Sequence, residues 1–442
     1  MRAGSTTVGP ALAGICCLAT ITEPAAGVAL HVPSEYATIN AALDASAFGD
    51  TVLIAPGVYS DVDTRDIGLG APFTACAFLR DGVVLRSSGG PSVTTIDMMQ
   101  TTGLQPVVVL AFFLPSEETS AEGFTIKGET ALHGVATSFG GRVTFRECVF
   151  SDLDAGPSTG GGIAANTDLR LIDCEFINCA ANAGGGLYHS GGYLEMIGTV
   201  FRNCRDKAAF LVGDPPDVES AWIEGCTFID NYSDNNSGAI HINTYDGGAT
   251  VIGCHFEGNT AEDKAGALGW GNAGEKTIEG CTFVNNGVVA PFSEGGAISI
   301  NGTGACTIRG NTFYANYQVD ATFGGSTLEI LTPTTFENNI VSWSSGGNAI
   351  RSTVVLSAGC NVYWANSHGA GVPLAETDRE VDPEFCDAAN GDFTVRVSSP
   401  CVEPNSKGCG QIGAFAAGCG AVTIDALSWG RIKGFYRGGR ER

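Results

Sequence analysis

Apolar positions in the middle of the chain recur with a period much longer than that of a helical turn or a β-strand. A Cys-x-Phe triplet is the clearest marker, and less regular versions of it fill the gaps between its copies. The phenylalanine position of this marker returns every 25 to 30 residues from Phe124 to Val341. A fixed period of this length is typical of a chain built from stacked structural repeats. The complete triplets begin at Cys148, Cys174, Cys226, Cys254 and Cys281.

A second, glycine-rich apolar block lies between successive markers. It reads Gly-Gly-Gly-Ile at 160–163, Gly-Ala-Ile-His-Ile at 238–242 and Gly-Gly-Ala-Ile-Ser-Ile at 295–300. Each period therefore holds two or three short strands separated by bends, and it contains no stretch with helical spacing. A unit of this kind cannot bury its own apolar side, whereas stacking each turn of chain on the next builds a continuous core.

These patterns predict an all-β fold, a single-stranded right-handed parallel β-helix (a solenoid) of roughly 12 coils. A β-propeller would need blades of about 40–50 residues, which is longer than the observed period. A helical solenoid is excluded because the apolar spacing is never that of a helix face. Glycine accounts for 62 of the 442 residues. We expect most of these glycines at the corners of the coils, where they adopt sharp turns without strain.

Two columns of side chains are expected to repeat along the stack. An asparagine three residues after the phenylalanine should form a ladder of amide groups at one turn. The cysteines of the triplets should form a column of small, apolar free thiols in the core. Their Cβ atoms would stay about 4.8 Å apart, somewhat beyond the ~3.5–4.5 Å of disulfides. The asparagines are Asn231, Asn259, Asn286 and Asn316.

Both ends of a solenoid need covers, because an open coil exposes core and strand edges. Residues 30–420 are assigned to the β-helix, and an N-terminal cap is expected at about 34–60, with a short amphipathic helix followed by an apolar strand. Cys-rich closing coils are expected at about 380–420. The cysteines there suggest disulfides, and the spacing leaves their connectivity open.

The two termini differ in composition from the repeats. Residues 1–29 combine a basic start, an apolar run and small residues, which predicts a secretory signal peptide cleaved after Ala29. Residues 421–442 form a basic, aromatic tail that is either a sorting or attachment segment or a solvated end. No later stretch reaches the ~18–20 apolar residues of a membrane helix. The chain is therefore expected to be secreted or located at the cell surface, as a monomer.

Three parts of the sequence resemble known families. The segment 36–44 is similar to the opening of pectin-lyase-like right-handed β-helix proteins. The motifs Gly-Gly-Ala-Ile at 295–298 and Phe-x-x-Asn at 228–231 resemble repeats of polymorphic outer-membrane proteins, and Asp-Pro-Glu-Phe at 382–385 resembles the closing coils of bacterial cell-surface β-helix proteins. The resemblance implies the β-helix fold over most of the chain. The acidic motifs of polygalacturonases and the calcium cluster of pectate lyases have no clear counterpart here.

Superposing the repeats gives one outward column on the glycine-block strands: Ala164, Tyr188, Leu211, His241, Gly269, Ser299, Glu329 and Arg351. Tyr188, His241, Glu329 and Arg351 are residue types that line sugar-binding grooves, and they are the candidate binding residues. Each of these four is expected to lie several coils from the next.

Acidic side chains occur in the turn before each glycine block. Asp234 and Asp263 are expected about one coil apart, and with Glu262 they are candidate ligands for Ca²⁺, which prefers oxygen ligands. Asp234, Asp263 and His241 are also the candidate catalytic residues. The alternative is a solvated polar loop on an acidic protein. Calcium is the one cofactor that these residues leave open.

The net charge of −24 argues against nucleic acid as a partner. The sequence favours a non-catalytic β-helix that binds an extracellular polysaccharide or a cell-surface protein through its lateral faces. The alternative is a glycoside hydrolase, or a polysaccharide lyase of the pectate-lyase type, acting on an acidic polysaccharide. Fold alone does not decide between them.

Overall fold

The computed structural model describes residues 27–419 apart from 69, 99–105, 113–118, 129–132, 214–219, 244–246, 272–273, 292, 320–324 and 355. The proposed signal peptide lies almost entirely outside the described residues, and the basic tail lies wholly outside them. The first strand begins at Ala29. The cleavage site and the domain boundaries stay predictions.

The described residues form one short α-helix, one 3-10 turn and many short strands. The helix α1 spans Ile39–Ala45, and the 3-10 turn spans Ala388–Asn390. The first twenty strands are β1 Ala29–Val32, β2 Thr51–Ile54, β3 Gly57–Tyr59, β4 Asp63–Arg65, β5 Phe73–Phe78, β6 Val84–Ser87, β7 Thr94–Asp97, β8 Pro106–Phe112, β9 Thr119–Glu122, β10 Thr125–Lys127, β11 His133–Arg146, β12 Val149–Ser151, β13 Ile163–Ile172, β14 Glu175–Ile177, β15 Leu187–His189, β16 Tyr193–Ile197, β17 Val200–Arg202, β18 Ala209–Val212, β19 Ser220–Glu224 and β20 Thr227–Ile229. The others are β21 Tyr232–Ser233, β22 Ile240–Asn243, β23 Ala249–Ile252, β24 His255–Glu257, β25 Thr260–Ala261, β26 Leu268–Gly271, β27 Lys276–Glu279, β28 Thr282–Val284, β29 Gly287–Val288, β30 Ile298–Asn301, β31 Cys306–Arg309, β32 Thr312–Tyr314, β33 Tyr317–Gln318, β34 Gly325–Ile330, β35 Thr334–Glu337, β36 Ile340–Ser342, β37 Asn348–Ser352, β38 Leu356–Gly359, β39 Val362–Trp364, β40 Arg379–Glu380, β41 Phe385–Asp387 and β42 Asp392–Val395.

Strands of successive coils pair in parallel, which is the arrangement that the repeat predicts. The two largest sheets contain 23 and 13 strands, and a third contains four. Equivalent residues of the repeat are direct neighbours, as Phe228, Phe256 and Phe283 are in β20, β24 and β28. The prediction of an all-β parallel β-helix is confirmed. The regular solenoid has about eight turns, fewer than the roughly 12 predicted.

The core is built around a column of stacked phenylalanine rings. Neighbouring rings are nearly parallel, and their centroids lie 4.5–5.0 Å apart. This spacing follows from the distance between strands of a sheet. Offset stacking adds to the free energy gained by burying each ring. The column consists of Phe150, Phe176, Phe201, Phe228, Phe256, Phe283 and Phe313.

Two ladders of buried side-chain amides run beside this column. In the first, the Asn259 Nδ2 atom donates to Asn286 Oδ1 at 2.9 Å and to the Phe228 carbonyl at 2.9 Å. Asn231, Asn286 and Asn316 make equivalent contacts. In the second ladder, asparagines replace the cysteines at the same position of the later coils, and the last member is an aspartate. Its members are Asn311, Asn339, Asn361 and Asp378.

The cysteines of the repeat are buried free thiols, among them Cys148, Cys174, Cys226, Cys254 and Cys281. The closing coils differ, because two disulfides join Cys360 to Cys409 and Cys386 to Cys419. The expectation of disulfides in this part of the chain is therefore confirmed, and the structure supplies the connectivity. Cys401 stays a buried free thiol.

One corner of the coil favours glycine. Three residues before the phenylalanine the backbone is left-handed, with φ of 59° at Gly225, 58° at Gly253 and 63° at Gly280. Glycine adopts this conformation without the steric cost that a Cβ atom brings.

The helix α1 covers the N-terminal end of the stack. The Thr38 hydroxyl caps it by accepting from Ala41 N at 3.1 Å. Ile39, Ala42 and Leu43 are buried against the first coils. In the part of the chain that the structure describes, no helix has the length and apolarity needed to span a membrane.

Candidate functional site

The outward positions of seven consecutive strands form one lateral face of the solenoid. In register they are Tyr188, Phe210, His241, Gly269, Ser299, Glu329 and Arg351, on β15, β18, β22, β26, β30, β34 and β37. We call this set the lateral face. The prediction of Leu211 in this column was wrong, because Leu211 is fully buried and Phe210 points outward. Side chains alternate along a strand, so a register error of one residue exchanges the two faces.

Ring side chains occupy the first half of the lateral face. The ring of Phe210 contacts Tyr188 with centroids 5.7 Å apart and His241 with centroids 5.3 Å apart. The Lys207 Nζ atom lies 5.4 Å from the centre of the Phe210 ring. All three rings are half-buried. They form a recessed strip rather than a set of projecting side chains.

His241 is held in a defined orientation within this strip. Its Nδ1 atom and the Ser237 hydroxyl share a hydrogen bond of 2.9 Å. Burial, reinforced by the charge of Lys207, lowers the pKa of His241 to about 4. The imidazole is therefore neutral near pH 7. Ser237 is fully buried, so it positions the ring and is not an accessible nucleophile.

Four charged side chains gather at the other half of the lateral face. We call Lys264, Glu294, Glu329 and Arg351 the charged cluster. Arg351 Nη1 contacts Glu294 Oε1 and lies 2.8 Å from Glu329 Oε1. Lys264 Nζ lies 3.6 Å from Glu294 and 3.7 Å from Glu329. The Ser299 hydroxyl donates to Glu329 Oε2 at 2.7 Å.

The two carboxyl groups of the charged cluster have opposite pKa shifts. Burial and a hydrogen bond with Glu329 raise the pKa of Glu294 to about 7. Burial alone would raise the pKa of Glu329 as well. Its hydrogen bonds with Glu294 and Ser299 and the charges of Lys264 and Arg351 outweigh burial, so the pKa of Glu329 is lowered. The pair therefore holds a shared proton close to neutral pH.

The exposed fractions show which groups a ligand could reach. The side chains of Lys264 and Arg351 are 36% and 38% exposed, whereas those of Glu294 and Glu329 are 13% and 1% exposed. The cations thus form the outer part of the charged cluster, and the carboxylates lie beneath them.

The expectation that the four candidate binding residues lie several coils apart was wrong for Glu329 and Arg351. These two residues are direct neighbours on β34 and β37. Tyr188 and His241 are two strands apart, with Phe210 between them. The sequence did not predict that Lys264 and Glu294 join this column. Lys264 and Glu294 occupy equivalent positions of successive coils. This equivalence is the feature of the sequence from which their proximity could have been predicted.

The acidic turn residues make separate contacts. Asp234 lies close to Asp206 of the preceding coil. Burial and the nearby Asp234 carboxylate raise the pKa of Asp206. The Glu262 carboxylate accepts a hydrogen bond of 2.8 Å from the Tyr232 hydroxyl. Asp263 donates its backbone N–H to the Asn235 carbonyl. Within the described ranges, no group of three or more His, Cys, Asp or Glu side chains is placed to hold a metal ion.

Residues 216–368 match the family model of the right handed beta helix region. The matched segment is a right-handed β-helix. It contains most of the lateral face and the whole charged cluster, and it is consistent with the pectin-lyase-like superfamily. No curated protein and no solved structure gives a significant match to the chain. The match supports the β-helix fold and leaves the ligand open.

Proposed function

We propose that this β-helix binds a glycan along the lateral face without cleaving it. The observation that carries the proposal is one in-register column of seven strands, with half-buried rings at one end, the charged cluster at the other, and the buried Gly269 and Ser299 between them. Binding sites combine apolar and aromatic surface with a few well-placed polar groups. The two disulfides support an oxidising, extracellular location.

The geometry of the column suits an extended polymer. Successive outward side chains lie about 4.8 Å apart along the solenoid, a spacing comparable with one sugar residue of an extended polysaccharide. The rings of Tyr188, Phe210 and His241 offer faces for stacking against sugar rings. Arg351 can recognise a carboxylate with two parallel hydrogen bonds.

The charged cluster favours a glycan that carries carboxylates, although the protein as a whole has a net charge of −24. When Glu294 holds its proton, Lys264 and Arg351 face only one negative charge, that of Glu329. The cluster then has a net charge of +1. Because the pKa of Glu294 is raised to about 7, we expect affinity for an acidic glycan to increase as the pH falls from 8 to 6.

Calorimetric titration with polygalacturonate, alginate and glycosaminoglycan oligomers tests this proposal. Arg351→Ala and Lys207→Ala should each weaken binding at least about tenfold, as expected for central contacts. Arg309→Ala is the matched control. It removes an arginine that pairs with Glu279 on another part of the same sheet, and it should leave binding unchanged. Equal losses for Arg351→Ala and Arg309→Ala would contradict the proposal.

Cleavage of an acidic polysaccharide is the second candidate function. It is favoured by the pair Glu294 and Glu329, whose pKa values move apart, since such pairs supply a general acid and a general base. Assays with and without Ca²⁺ for unsaturated products and new reducing ends test it. Turnover that Glu294→Gln abolishes while binding persists would replace the first proposal. Binding without turnover on any of these polymers would support it.

A further inference from the structure

We infer that the closing coils hold a second glycan site, a cleft for a neutral sugar that is separate from the lateral face. The cleft has a volume of about 450 Å³ and is lined by Tyr314, Trp343, Trp364, Asp382, Glu384 and Arg396. We call it the tryptophan cleft. It lies between β32, β36 and β39 of the 13-stranded sheet and the hairpin of β41 and β42.

Two exposed tryptophans form one wall of the tryptophan cleft. Trp343 and Trp364 are 53% and 36% exposed, whereas Trp270 in the core is 1% exposed. They lie on adjacent coils, since Trp343 N donates to the Trp364 carbonyl at 3.0 Å. Two exposed tryptophans on adjacent coils that line one cleft are typical of a binding site rather than of an inert surface.

The backbone at Trp343 strengthens this interpretation. Trp343 has a left-handed conformation with φ of 59°, at a corner where neighbouring coils place Asn285, Ala315 and Ala365. A bulky side chain in this conformation carries a steric cost. The fold does not require tryptophan here, because alanine occupies the same corner one coil before and one coil after.

The floor and the rim of the cleft are fixed by packing and by hydrogen bonds. The ring of Tyr314 packs against Phe385 and Phe393, with centroids 6.1 Å and 5.2 Å away. Ser398 Oγ donates to Glu384 Oε2 at 2.5 Å, and Arg396 N donates to the Glu384 carbonyl at 3.0 Å. The disulfide from Cys386, next to Phe385, ties the hairpin to the end of the described chain. A site held in this way loses little freedom on binding.

The chemistry of the lining identifies the class of ligand. Flat aromatic rings stack on the C–H faces of pyranose sugars. The carboxylates of Asp382 and Glu384 accept hydrogen bonds from hydroxyl groups, and the guanidinium of Arg396 donates them. Two carboxylates against one cation disfavour an anionic ligand. The tryptophan cleft therefore fits one or two residues of a neutral glycan, in contrast to the acidic ligand proposed for the lateral face.

Fluorescence and calorimetric titrations of the full chain with neutral gluco-, xylo- and chito-oligosaccharides test the inference. We expect saturable binding that Trp343→Ala and Trp364→Ala each weaken at least about tenfold, while Trp364→Phe retains part of the affinity. Both alanine variants should fold normally, because the side chains are exposed and alanine already occupies the Trp343 corner in neighbouring coils. Trp222→Ala, which removes a tryptophan outside the cleft, should bind like the unmodified protein.

The inference is overturned if no neutral sugar binds at millimolar concentration. It is also overturned if binding survives Trp343→Ala and Trp364→Ala together. The lateral-face variant Arg351→Ala separates the two sites. It should leave neutral-sugar binding intact, so that failure of the lateral-face proposal and failure of the cleft give different patterns.

Discussion

Asn259 shows how much a single buried residue contributes to the solenoid. Its side chain is fully buried, donates to Asn286 and to the Phe228 carbonyl, and accepts from both the backbone and the side chain of Asn231. Replacing it removes the partners of several groups that water cannot reach. Each such group costs about 1–3 kcal/mol when it is left without a hydrogen bond.

We therefore expect Asn259→Leu to lower the free energy of unfolding by about 3 kcal/mol or more, measured by urea denaturation. Asn203→Gly is the control, since it removes an amide from the exposed pair of Asn203 and Asn178 and keeps a residue suited to the left-handed backbone. Its effect should stay below about 1 kcal/mol. Similar losses for the two variants would show that burial of the ladder is not what stabilises the coil.

Glu294 gives the protein a pH-dependent stability of defined sign. Its pKa is raised from 4.5 to about 7 in the folded protein, so the folded state binds more protons than the unfolded state between these values. Stability from this group is present below about pH 4.5 and is lost as the pH rises to about 7. Glu294→Gln imitates the protonated form. At pH 8 its free energy of unfolding should be about 1 kcal/mol higher than that of the unmodified protein. This figure is reduced from the full pKa shift because solvent screens the charges near Lys264 and Arg351.

Thermal denaturation of the unmodified protein and of Glu294→Gln at pH 4.5 and pH 8 measures this effect. The two proteins should have similar stability at pH 4.5, and the variant should be the more stable one at pH 8. A constant difference between them at both pH values would mean that the Glu294 carboxyl does not titrate in this range.

At the scale of the strand, β15 contains a histidine in an otherwise apolar inward column. His189 is fully buried between Ala165 and Leu211 of the neighbouring strands, and its Nε2 atom lies 2.9 Å from the Thr167 carbonyl. Burial lowers the pKa of His189 to about 4. Between about pH 6.5 and pH 4 the unfolded state therefore binds the extra proton, and stability falls as the pH falls.

His189→Leu should remove this acid sensitivity. Near pH 7 the variant should be equal to the unmodified protein or about 1 kcal/mol less stable, because the contact with the Thr167 carbonyl is lost. Near pH 4.5 the order should reverse, since protonation of His189 in the unfolded state lowers the stability of the unmodified protein by up to about 3 kcal/mol. Urea midpoints across this range measure the crossing. Stability curves that run parallel would show that His189 is not the responsible group.

The elements also show what the sequence could predict and what it could not. The period placed Phe228, Phe256 and Phe283 in one column, because every coil repeats the same strand and the same corner. The period predicted the wrong outward residue on β18, Leu211 instead of Phe210. A loop of different length had shifted the alignment of this repeat by one residue. The period also missed the charged cluster, since Lys264 and Glu294 belong to turns whose fold onto the strands depends on tertiary packing. The tryptophan cleft joins coils to a hairpin that follows no repeat.

At the scale of the whole molecule, the two ends of the solenoid are closed by different means. The first coils are covered by α1, whereas the last coils rely on two disulfides and a short antiparallel hairpin. The closing coils have few repeated contacts to stabilise them. A crosslink there restricts the unfolded chain, and for residues 33 apart the chain-entropy relation gives about 3–4 kcal/mol.

We expect the double variant Cys386→Ser with Cys419→Ser to loosen the closing coils while the regular coils keep their stability, because each coil of a solenoid depends mainly on its neighbours. Amide hydrogen exchange should become faster in β41 and β42 and stay unchanged in β22 and β26. Neutral-sugar affinity at the tryptophan cleft should fall, and acidic-glycan affinity at the lateral face should not. Faster exchange throughout the chain would instead mean that the solenoid unfolds as one cooperative unit, with its two binding faces energetically coupled.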